Sequence, residues 1–302
     1  INSLNQIHIQ SRQFDNSNGK MLSAADTRIH TGSGANRQGD IASQTALQIE
    51  AAEGWDNQGG RLAANQQVGV ESRGLNNQGG EITSVQNSVL LNSQSGALVN
   101  QQGRIQAAQN ISVQSSGLDN SGGTVQGNRL TVQTGIQAVN NAAGKLLSQT
   151  DVQLTGGALN NSGGQITANR NLALNIQAQA LDNRNGMISA GENATIQSGA
   201  FNNQSGTLGA NQQLLLDTHS QALNNQNSAN GGGIFADRLS IKSGDLDNRA
   251  GAIQATTAEL QTRDLANQKG KISVSGQLQL SGQNVQNQAG VVQAAEKLNV
   301  EA

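Results

Sequence analysis

Cysteine is absent from this chain, which excludes a disulfide framework, a thiolate metal site and a cysteine nucleophile. Proline and tyrosine are absent as well, and aromatics make up only 1% of the 302 residues. No apolar run approaches the roughly 20 residues that a membrane-spanning helix needs, so the chain is not expected to be membrane-embedded. Formal net charge is -2 and no basic block exists, so nucleic acid is not an expected partner, because phosphate binding needs clustered Lys and Arg. The segment INSLNQIHIQ lacks the pattern of a secretory signal and reads as the last part of a preceding coil. What remains is Asn, Gln, Ser and Gly in abundance, a composition that a disordered polar tract can share.

Periodicity argues against disorder. A short phrase returns along the chain: an apolar residue, Asn two positions on, Gly after it, then an aliphatic residue. The asparagines are Asn16, Asn36, Asn57, Asn77, Asn100, Asn120, Asn141, Asn161, Asn183, Asn203, Asn225, Asn248, Asn267 and Asn287. Numbering the apolar residue as position 1 places Asn at position 3. Position 6 is then Gly19, Gly39, Gly60, Gly80, Gly103, Gly123, Gly144, Gly164, Gly186, Gly206, Gly232, Gly251, Gly270 and Gly290. A period near 20 residues that fills the chain from end to end is the mark of a solenoid, and it overrides the usual length prior for domain number. We read residues 1–302 as one continuous repeat domain. Both ends fall within a repeat, as in a piece of something longer.

Position 1 is apolar throughout except at Gly34, position 8 is always aliphatic, from Met21 and Ile41 to Ile272 and Val292, and position 10 is mostly Ala, Ser or Gly. A second alternating pair follows, as in Leu47 with Ile49, Ile111 with Val113 and Leu278 with Leu280. Each repeat therefore holds two or three strands of a few residues, and none has the eleven or so periodic residues that a helix needs. Short strands in register from repeat to repeat predict an all-β fold, a parallel β-helix or β-solenoid of about 14 to 15 coils of about 20 residues. At the inter-strand spacing of about 4.8 Å per coil, this predicts a rod of roughly 65 to 75 Å.

Stacking also predicts what each phase does. The Asn side chains should form a ladder, each amide bonded to its copies in the coils on either side. Asn and Gly together supply turn chemistry, since both tolerate positive φ. Position 2 carries Asp15, Asp56, Asp119, Asp182 and Asp247, never in two neighbouring coils, which avoids like charges facing one another. Position 7 begins Lys20, Asp40, Arg61, Glu81, Arg104, alternating in sign.

No catalytic, cofactor-binding or metal-ligating residue is assigned. β-Helical polysaccharide-degrading enzymes use close carboxylates beside aromatic platforms. Here Glu50, Glu53 and Asp56 flank Trp55, but Trp55 occupies an inward phase and reads as core. His8, His30 and His219 do not converge; aligning Ile9 with Ile29 sets His8 opposite Arg28 and His30 opposite Gln10, so all three read as solvated. The Gly-rich stretches are not phosphate loops, because no Lys-Ser/Thr and no helix start follow them. The longest interruption is 226–233, QNSANGGG, which lengthens one turn; the residues around 92–98 are similar. A loop leaving a rigid scaffold is where binding would be sought.

The phrases LDNSGGTV at Leu118 to Val125, LNNSGGQI at Leu159 to Ile166 and LNNQGGEI at Leu75 to Ile82 resemble the haemagglutinin repeats of filamentous haemagglutinin and related two-partner-secretion exoproteins, including the CdiA-type effectors of contact-dependent growth inhibition. The resemblance implies a right-handed parallel β-helix, secreted through a dedicated outer-membrane transporter and folded at the bacterial cell surface. It implies a non-catalytic stalk, without cofactor, that presents a distal binding or toxin module. The other reading it leaves is that the repeat surface itself is an adhesin for a host-cell or target-cell receptor or glycan.

Overall fold

The computed structural model describes residues 1–229 and 231–301. Contacts group them into two compact units, residues 1–149 and 150–302. Both units are β-solenoids, and among the described residues all regular structure is strand.

One coil of the first unit shows the plan. A four-residue strand, Arg104–Ala107, is followed by Asn110–Gln114 and by the two-residue strand Leu118–Asp119. Each pairs in parallel and in register with its counterpart in the next coil: Ile105 with Val125, Ile111 with Leu130, Leu118 with Val139. The second unit repeats the plan, with Ile188 against Leu208, Ile196 against Leu216 and Leu181 against Phe201.

The inward residues are those the alternation predicts. Ile41, Leu62, Ile82, Ile105 and Val125 at position 8 are fully buried, as are Ile188, Leu208, Ile253 and Ile272. Burying such a side chain stabilises by about 1.5–3 kcal/mol, but only when a coil above and one below cover it. The core is therefore built between coils rather than within one.

At the corner after the second strand stands a column of buried hydroxyls that period-two reasoning does not detect. Ser72 and Ser115 donate to the carbonyls of Gly74 and Gly117, both at 2.9 Å. Thr134 and Thr218 do the same to Gln137 and Gln221, at 2.7 and 2.6 Å. Each adds a side-chain donor to a carbonyl at the bend, and those of Gly74, Gly117 and Gln221 also accept a backbone N–H from a neighbouring coil.

The turn differs from its sequence-based rationale. Gly N–H at position 6 donates back to the Asn carbonyl at position 3, for example Gly60 to Asn57 at 3.0 Å and Gly186 to Asn183 at 3.0 Å. Positive φ falls on neither of them. It falls on position 5, whatever the residue: Asn18, Gln38, Gln102, Ala143, Asn185, Ser205, Ala250 and Lys269, with φ of 50–58°, and Gly59, Gly79, Gly122 and Gly163. A turn with positive φ at its third residue is where glycine is ordinarily required. The position-6 glycine is there for space instead. A Cβ at Gly60, Gly123 or Gly206 would lie 1.9–2.3 Å from the Asn carbonyl oxygen of the preceding coil and 2.7 Å from the Oδ1 of its own Asn.

Candidate functional site

The feature common to the coils of both units is the amide column. In the first unit Asn16 Nδ2 donates to Asn36 Oδ1 at 2.8 Å, and the chain of bonds continues through Asn57, Asn77, Asn100 and Asn120 to Asn141 at 2.7–2.8 Å. In the second it runs from Asn161 through Asn183, Asn203, Asn225, Asn248 and Asn267 to Asn287 at 2.6–2.8 Å. Interior members are 0% exposed. The amide also donates to the Gly carbonyl of its own turn, as from Asn57 to Gly60 at 3.1 Å, and to a carbonyl in the next coil, as from Asn183 to Thr207 at 3.0 Å. Donation always runs toward the following coil. Removing one amide leaves the Oδ1 of the following Asn, a buried acceptor, without its donor, costing about 1–3 kcal/mol.

In the coil of Asn225 the turn is built differently. Three residues on stands Ser228, whose hydroxyl donates to the Asn225 carbonyl at 2.9 Å and accepts from Ala252 N–H at 3.2 Å. Gly232, expected as the turn glycine, lies beyond the turn, where its N–H bonds to the Ser228 carbonyl at 3.1 Å. The serine hydroxyl takes over contacts that elsewhere involve the glycine backbone. Asn230, part of the 226–233 interruption, lies outside the described residues.

The charge columns are more mixed than alternation suggests. At position 7, Arg61 reaches Asp40 at 2.9 Å, whereas Glu81 bonds Thr83 and Arg104 bonds Gln106 within their own strands. At position 2 the Asp residues are interleaved with amides: Asn76 and Asn140 donate to Asp56 and Asp119, each at 3.1 Å. Arginines at position 4 supply the partners that sequence reasoning missed, Arg37 to Asp56 at 2.6 Å, Arg184 to Asp182 at 2.7 Å and Arg249 to Asp247 at 2.6 Å. Burial alone would raise the Asp182 and Asp247 carboxyls; hydrogen bonds and charge from Arg184 and Arg249 outweigh it and hold both below the usual range.

Two of the three carboxylates around Trp55 are engaged elsewhere. Glu50 meets His30 at 3.2 Å, and Asp56 is held by Arg37 and Asn76. Trp55 itself is 2% exposed, stacked on Phe14 with ring centroids 5.9 Å apart and planes 14° apart. His8 is exposed and set against Arg28 in register. His219 is exposed, with φ of 51° and its Nδ1 2.9 Å from the Ser198 carbonyl. No group of three potential metal ligands occurs among the described residues.

Fold and column together define a repetitive structural protein of the β-solenoid type. A family model for the haemagglutinin repeat matches residues 1–52, 46–102, 94–142, 137–184, 172–249, 218–258 and 243–302, and so tiles the chain. The chain belongs to this family of filamentous haemagglutinin-type repeat proteins. Haemagglutinin repeats are typical of secreted surface proteins and point to a structural, adhesin-type role. No curated protein and no solved structure matches it.

Proposed function

We propose that this repeat domain is a stalk segment of a large secreted bacterial surface protein, an adhesin or a contact-dependent inhibition effector, and that it holds a distal binding or toxin module away from the cell. The observation that carries this reading is the unbroken run of amide bonds in each unit, the same at every coil. Amides in such a column neither titrate near neutral pH nor attack a substrate; they tie one coil to the next. Repetition sets reach, since each coil adds about 4.8 Å.

The same plan suits export through a dedicated outer-membrane transporter. A chain that emerges gradually can add coils one at a time, because each coil needs only its neighbour. Changing Ile105, Val125 and Leu146 together to Asp should then slow surface appearance.

Deleting residues 101–120 removes one coil in phase, joining Asn100 to Ser121. The parent exoprotein should still reach the surface and engage its target, with reach shortened by about 4.8 Å. Loss of engagement on removing this one coil, with folding intact, would sink the spacer reading.

A further inference from the structure

The chain has four aromatic residues, three Phe and one Trp. Trp55 and Phe201 are buried in the core and Phe14 is stacked on Trp55. Of the four, Phe235 alone is well exposed, at 39%, on the outer face of the strand Gly233–Lys242.

Its surroundings depart from the repeat in three ways at once. The residue in register in the preceding coil is Gly209, and the tip of the Phe235 ring occupies the place a side chain there would fill, 2.1 Å from an ideal Cβ. At position 7 the neighbouring coils carry Thr207, Gly233 and Ala252, without the long charged chains of Lys20, Arg61 or Arg104. The corner after position 10 is short as well. Gly209 pairs with Phe235 and Gln213 with Arg238, so 210–212 in one coil answer to 236–237 in the next, and the first two strands run on as one ten-residue strand. The following coil does the same in Ala252–Gln261, while the next after it returns to two strands, Lys271–Val274 and Gln277–Ser281.

Two short corners between fuller ones leave a recess. It is an open cavity of about 830 Å3, lined by Phe235 together with Asn211, Asp237, Gln254, Thr256 and Ser273 among others. Binding clefts of this size are commonly built from an apolar surface with a few polar groups that fix orientation. Here the apolar part is one aromatic ring with small aliphatic side chains around it, and the polar part is amides, hydroxyls, the Asp237 carboxylate and the Lys271 ammonium.

We propose that this recess is a subsite for a neutral pyranose ring of a glycan, with Phe235 as the stacking platform and Gln254, Asp237 and Ser273 as hydrogen-bonding groups for sugar hydroxyls. A pyranose offers a C–H face and a rim of hydroxyls, which is the complement of an aromatic ring within polar side chains. A peptide strand would need an unpaired sheet edge, but the backbone of these strands is paired with coils on both sides. The subsite goes beyond the stalk role, and deleting residues 101–120 leaves it intact, so the two readings fail separately.

Saturation-transfer NMR tests it on the 302-residue chain, because so few aromatic residues make the aromatic protons an unusually selective source. The probes are maltotriose, cellotriose and triacetylchitotriose. Irradiating the aromatic protons should transfer magnetisation to ring C–H protons of at least one of them. Phe235→Ala should weaken that sugar's binding by about tenfold and Phe235→Trp should retain it. Gln254→Ala, at an exposed position that leaves the ring in place, should weaken binding by about fivefold. Transfer to none of the three sugars, or transfer unchanged in both Phe235→Ala and Gln254→Ala, overturns the proposal.

Discussion

Two coils, one in each unit, lay an aromatic side chain across a glycine of the coil before it, and they do so on opposite faces of the wall. In the first unit Trp55 points inward and fills the place a side chain at Gly34 would take, 2.2 Å from an ideal Cβ. In the second, Phe235 points outward over Gly209. Inside, the borrowed space completes a core: Phe14, Gly34 and Trp55 are in register, and the missing side chain at Gly34 lets two rings meet although their strands are two coils apart. Outside, the same device leaves a ring in contact with water. A solenoid can thus absorb one oversized residue by emptying the same phase in the neighbouring coil, and only the inward version contributes fully to stability.

The largest test of this contrast removes the rings. Trp55→Ala should cost about 3–5 kcal/mol in denaturant unfolding of its unit, against about 1 kcal/mol for the half-exposed Phe235→Ala. Similar losses at both sites would break the comparison. Trp55→Phe should cost much less than Trp55→Ala, because the Trp55 Nε1 is buried without a hydrogen-bond partner and its removal costs nothing.

Next in size is Gly34→Leu, which restores the aliphatic residue of the repeat yet collides with Trp55, and should destabilise by about 3 kcal/mol. Adding Trp55→Leu should recover a large part of that loss, a coupling of about 1–3 kcal/mol. At the outer site Gly209→Leu should cost under about 1 kcal/mol, since Phe235 can swing into solvent. A double-mutant cycle by chemical denaturation reads both; additive effects at Gly34 and Trp55 would contradict the shared-space account.

Smaller effects compare the units where they are alike. Ala143 and Ala250 hold φ of 52° and 50° at the phase where Gly59, Gly79, Gly122 and Gly163 stand. Ala143→Gly and Ala250→Gly should each stabilise by about 1 kcal/mol, seen as a raised denaturation midpoint. A loss of stability in either would mean that positive φ costs nothing here.

The smallest effect is one of pH. Asp182 and Asp247 in the second unit have carboxyls held below the usual range by Arg184 and Arg249. A depressed carboxyl contributes stability that is fully present above the unfolded-state value near pH 4 and is lost as pH falls through the folded-state value. The arginines are about half-exposed and the carboxylates about a quarter exposed, so water partly screens both pairs, and the contribution is small and weakens with salt. Asp182→Asn with Asp247→Asn should flatten the acid limb of the second unit's stability curve slightly; an unchanged limb would show that the pairs contribute nothing.

Some of this was readable in the chain alone. The inward aliphatics, from Ile41 to Ile272, follow from alternation, and the facing of His8 with Arg28 follows from register. The asparagines lie where a period near 20 residues must stack them. The reason for the position-6 glycine was not readable. Positive φ is the explanation that turn chemistry offers, whereas the limiting contact is with a carbonyl of another coil. Ser228 hid behind Gly232 for a related reason, because a hydroxyl that replaces a glycine contact leaves no trace in a pattern of residue types. The arginine partners of Asp56, Asp182 and Asp247 depend on side-chain reach that the period does not encode.

Sequence by itself determined the repeat, the strand faces and the line of asparagines, because these are local alternations multiplied by a fixed period, and stacking in register is the one way to bury them all. Tertiary structure alone decided which glycine is steric and which residue takes the strained dihedral, how Trp55 and Gly34 share one volume, and that Phe235 is left facing a recess. Those outcomes are set by distances of a few ångströms between coils about 20 residues apart in sequence, where one residue's side chain occupies another's space.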